Sequence, residues 1–113
     1  MSDDRLLTEF ARAAHNLNTT YSLINDLYTK TVRRWDNLRY QDRKKKLDTF
    51  KKMADLHRHT RLTAVSTHEL WRKSAPDNHP CNVEFDLLND AAKKKDELYI
   101  EMLELFNELR GDE

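Results

Sequence analysis

Apolar side chains recur at alternating steps of three and four residues along almost the whole chain, the spacing of one face of an α-helix. The first stripe runs through Leu7, Phe10, Ala14, Leu17, Tyr21, Ile24, Tyr28, Trp35 and Leu38, interrupted at Thr31. A second runs through Leu47, Phe50, Ala54, His57, Arg61, Ala64, His68 and Trp71, and a third through Phe85, Leu88, Ala92, Tyr99, Met102, Phe106 and Leu109. One glycine, two prolines and no long run of β-branched residues leave little turn chemistry for a sheet. The chain therefore reads as all-α.

The first two stripes are out of phase. Continuing the first would place Asp42, Lys45, Thr49 and Lys52 on the apolar face. The observed second stripe lies two residues away, about 200° around a helix, so an unbroken helix would turn its two halves to opposite sides. A turn is expected near residues 37–43. Ser74 to Cys81, with Pro76 and Pro80 among Asp, Asn and Ser, is a linker that stops a helix. This predicts helices over roughly 4–38, 43–73 and 83–110, a linker over 74–82, and one domain spanning 1–113. Three long helices imply an antiparallel, coiled-coil-like up-down-up bundle. No internal repeat is visible. The apolar fraction is only 38%, and Leu98, Leu103 and Leu105 widen the third seam, so self-association, first as a dimer, is expected.

Several function classes are excluded by residue type. Nucleotide-cradling loops need several glycines, and the chain has one. No HExxH helix, CxxC pair or zinc-spaced cluster occurs, so neither a metal nor a cofactor is expected. The single cysteine, Cys81, cannot form an internal disulfide. The first residues lack a secretory pattern, and no stretch approaches about 18 apolar residues. A cytoplasmic or other reducing compartment, away from the membrane, is the expectation. His57 and His68 share the second stripe with Arg61 between them, and polar seam residues of this kind set register more readily than they do chemistry. Cys81 sits ahead of an expected helix start, where a thiolate would be stabilised, but lacks a base to serve it. The reading is non-enzymatic.

Charge is distributed in blocks. Residues 1–29 carry a net −2, residues 30–73 a net +9 and residues 74–113 a net −7. Arg39, Arg43, Lys44, Lys45, Lys46, Lys51 and Lys52 are the candidates for contacting an acidic protein surface or phosphates. In an antiparallel hairpin, Glu97, Glu101, Glu104 and Glu108 would neutralise those lysines, leaving a module that binds another protein, and itself, through helix faces. If the lysines are not neutralised, nucleic acid becomes the ligand. Whether the third helix pairs with the second decides between the two.

Overall fold

The computed structural model describes residues 3–24, 33–79 and 81–111. Four α-helices and two short 3-10 turns occur among them, and no strand. Helix α1 spans Asp3–Ile24, α2 Tyr40–Thr60, α3 Ala64–Arg72 and α4 Asp90–Leu109. The molecule measures 38 × 31 × 22 Å, so no element has the ~45 Å length that a 30-residue helix requires.

The core lies where α1, α2 and α4 meet. Phe10, Phe50 and Phe106 form a triangle of rings whose centroids are 5.3–6.1 Å apart, with the Tyr99 ring edge-on to Phe50 at 5.9 Å. Around it lie Leu6, Ala11, Ala54, Leu62 and Leu103, all buried. Helix α2 runs back along α1, bringing Phe50 to Phe10. Helix α4 runs antiparallel to α2, since Asn107 Nδ2 donates to the Ala54 carbonyl at 3.0 Å and Glu104 faces His57 at 3.4 Å.

Each long predicted helix is shorter in fact. The first was expected to reach Leu38, but Trp35–Asn37 form a 3-10 turn and Arg39 is extended; Tyr28 and Thr31 lie outside the described residues. The anticipated break between the stripes is present, with α2 starting at Tyr40 rather than near 43. The second predicted helix, 43–73, is divided at Arg61, which adopts φ 49° and ends α2 in the left-handed region. A cap restarts the chain two residues later. The Thr63 hydroxyl accepts from the Ser66 N–H while the Ser66 hydroxyl accepts from the Thr63 N–H. The third predicted helix, 83–110, begins only at Asp90, capped by Asn89 accepting from the Ala92 N–H at 2.8 Å. Asn82, at the end of the predicted linker, donates to the carbonyls of Ala75 and Pro76 and ties the linker to itself.

The structure also contains a repeat that the sequence reading missed. Trp35–Asn37 and Phe85–Leu87 are matching 3-10 turns, each closed by the N–H of a following leucine, Leu38 or Leu88, donating to the carbonyl of the turn's first residue at 3.0 Å. Each turn is held by a histidine of the preceding helix. The His15 Nε2–H donates to the Arg33 carbonyl and its ring lies 6.1 Å from Trp35. The His68 Nε2–H donates to the Val83 carbonyl at 2.6 Å and its ring lies 6.0 Å from Phe85. From residue 33 onward the second unit repeats the first with 50 added to each number. The contacts of Ala54 with Asn107 and of His57 with Glu104 then exchange under that shift. The equivalence is confined to the turns and to the α2–α4 contact, since α1 packs against α2 and α4 whereas α3 packs against α4.

Candidate interaction surface

The inward side of α2 is occupied by Leu47, Phe50, Ala54 and His57. Lys44 and Lys51, and likewise Lys45 and Lys52, are seven residues apart, so each pair lies on one side of the helix about 10.5 Å apart. All four side chains are exposed, as are Arg33, Arg34 and Arg39, while Arg43 is half-buried. Lys46 belongs elsewhere. It too is exposed, but it stands one turn before Phe50 on the side of α2 toward α1, where desolvation lowers its pKa while Asp42 opposes the shift.

The expected neutralisation by α4 is not what the structure holds. Among the described residues, Glu97 pairs with Lys94 of its own helix at 3.6 Å, Glu104 faces His57, and no ion pair joins Glu97, Glu101, Glu104 or Glu108 to Lys44, Lys45, Lys46, Lys51 or Lys52. The reason is register. Asn107 lies beside Ala54, Glu104 beside His57 and Arg110 beside Asp55, so the end of α4 is held against the C-terminal half of α2, away from Lys44–Lys46. Two carboxylates within the basic segment are engaged by cations from elsewhere: Asp36 by Arg12 at 3.6 Å and Asp55 by Arg110 at 2.9 Å. Asp42 and Asp48 remain interspersed among the lysines.

The repeat sharpens this contrast. Arg43-Lys44-Lys45 in the first unit correspond to Lys93-Lys94-Lys95 in the second. There Lys93 lies 5.9 Å over the Phe85 ring and Lys94 is bridged to Glu97. The first unit's lysines have no such partners among the described residues. A shallow depression of about 230 Å³ bordered by Arg33, Asn37, Leu38, Arg39 and Asp42 adjoins them. The N-terminus of α2 beside it has no side-chain cap, so its positive dipole end adds to the cations.

His57 and His68 hold backbone groups in place. His57 and His68 sit on different helices with different partners. His57 Nδ1 accepts from the Leu62 N–H at 2.8 Å, satisfying a backbone donor just beyond the end of α2. His68 anchors the linker and turns its Nδ1 toward Asp96 at 3.7 Å. Burial raises the Asp96 pKa against the opposing pull of Lys95 and His68. Burial lowers the His15 pKa, with the bond to the Arg33 carbonyl working the other way. Burial likewise pushes the Cys81 thiol up, and α4 begins nine residues beyond it, so the thiolate expected beside a helix start is disfavoured.

Among the described residues no cluster of three metal-ligating side chains occurs and no helix is long and apolar enough to cross a membrane. Comparison with protein-family models, curated proteins and solved structures found no match for the chain.

Proposed function

We propose that the chain is a non-enzymatic interaction module, placed in a reducing compartment, whose working surface is the outward side of α2. The observation that carries this reading is the exposure of Lys44, Lys45, Lys51 and Lys52, none of which is in an ion pair among the described residues. An exposed cation costs little to keep, but a block of them on one helix raises the local potential and draws opposite charge to it.

A second surface favours self-association. Leu105 and Leu109, four residues apart on α4, are 48% and 58% exposed, and Leu98 lies two turns before Leu105 on the same side. This is the spacing of a helix-pairing seam.

One experiment separates the two surfaces. The immobilised chain is exposed to extract from its native source, and the retained species are compared for the parent, for Lys44→Gln/Lys45→Gln/Lys51→Gln/Lys52→Gln and for Leu105→Ser/Leu109→Ser, with light scattering on all three. The expected result is loss of retained material only in the lysine variant, and loss of a dimer mass only in the leucine variant. Retention that survives the lysine variant contradicts the assignment of α2.

A further inference from the structure

The ligand of the α2 surface follows from what that surface lacks as well as from what it carries. It carries Lys44 and Lys51, and Lys45 and Lys52, two turns apart in two neighbouring rows with the exposed Asp48 between them, and Gln41 is the one amide on the helix. Reading a base edge requires Arg, Asn or Gln fixed in a groove, and gripping a single strand requires aromatic platforms for the bases. Tyr40, 73% exposed, is the one aromatic on the outward part of α2. Lysine ammonium groups on flexible stems suit phosphates, which need charge rather than planar geometry. The rows stand on a rigid helix about 32 Å long, a length that follows from its 21 residues. Arg33 and Arg39, with the uncapped start of α2, extend the positive surface past one end of the rows.

We propose that the outward side of α2 binds the phosphate backbone of a nucleic acid duplex without regard to sequence, with Lys44, Lys45, Lys51 and Lys52 as the principal contacts. The proposal rests on the reading of α2 as the working surface and adds the chemistry of the ligand. Four phosphate contacts release counterions, so affinity falls with salt at a logarithmic slope of about −3.6, or roughly 150-fold between about 50 and 200 mM. The carboxylates Asp42 and Asp48 lie within the same surface and keep the affinity moderate.

The test is fluorescence anisotropy of a labelled mixed-sequence DNA duplex of about 20 base pairs, titrated with the full chain at several KCl concentrations. The parent is expected to bind at about 50 mM KCl with the slope given above, and a scrambled duplex is expected to bind equally. The fourfold Lys→Gln variant, shown folded by circular dichroism, should lose at least about 100-fold in affinity, and Lys51→Gln alone should reduce the slope by about one. Lys51→Arg should restore it. No binding by the parent at about 50 mM KCl overturns the proposal, as does a fourfold variant that binds like the parent. If the duplex is not bound but extract material is still retained in a lysine-dependent way, the ligand is an acidic protein. The surface assignment then stands and the nucleic acid assignment falls.

Discussion

Replacing Phe50 by alanine is expected to lower the unfolding free energy by about 3–5 kcal/mol, enough to unfold much of a population whose total stability is of the order of 5–15 kcal/mol. Phe50 is 2% exposed and stands at the meeting of three helices. Its ring is edge-on to Phe106 and Tyr99 and tilted against Phe10, so truncation removes contacts with α1 and α4 at once. A cavity in the middle of a 113-residue chain has few flexible neighbours to collapse into it. Urea unfolding checks the figure, with Tyr40→Ala as the control. Tyr40 is 73% exposed, and its loss is expected to change stability by no more than about 0.5 kcal/mol.

The second large effect concerns a polar side chain. His57→Ala is expected to cost about 2–4 kcal/mol, because a buried backbone donor then has no acceptor and a packing void is left as well. The Leu62 N–H donates to His57 Nδ1 at 2.8 Å, and Leu62 is itself buried. That bond fixes the tautomer with its proton on Nε2, which faces Glu104. The neighbouring His59 is exposed, so His59→Ala measured beside it should shift the urea midpoint little. Equal effects of the two changes would remove the capping role from His57.

Much of the core was legible from spacing. Leu47, Phe50, Ala54 and His57 were read as one inward stripe, and they are. The ends of helices were harder because a 3-10 turn also brings residues i and i+3 to one side. Trp35 with Leu38, and Phe85 with Leu88, therefore look like continuations of a helical seam although none of the four is in an α-helix. Arg61 ends α2 in a backbone conformation that glycine or asparagine usually takes, and nothing in its own identity announces it. The signal was a little further on, in the hydroxyl pair Thr63 and Ser66, which form the reciprocal cap.

The repeat was concealed for a related reason. Its equivalences lie in an aromatic followed by Asp, in Leu38 with Leu88 and in the basic triplets, whereas the core positions of the two units differ. Ala54 corresponds to Glu104 and His57 to Asn107, and in the α2–α4 contact each faces the other's counterpart rather than its own copy. The charge pairing failed on where α4 meets α2. The composition of α2 and α4 is complementary, yet a hairpin of that composition neutralises its lysines only if the two helices overlap there. The meeting of Asn107 with Ala54 leaves Lys44 and Lys45 away from the end of α4.

A lysine footprint tests the α2 surface most directly. The chain is briefly acetylated with and without the DNA duplex, and the modification of each lysine is quantified by mass spectrometry. Lys44, Lys45, Lys51 and Lys52 should react readily in the chain alone and be protected when the duplex is present, while Lys93 and Lys94 of α4 should react equally in both. Protection centred on Lys93 and Lys94, or none on α2, would contradict the account.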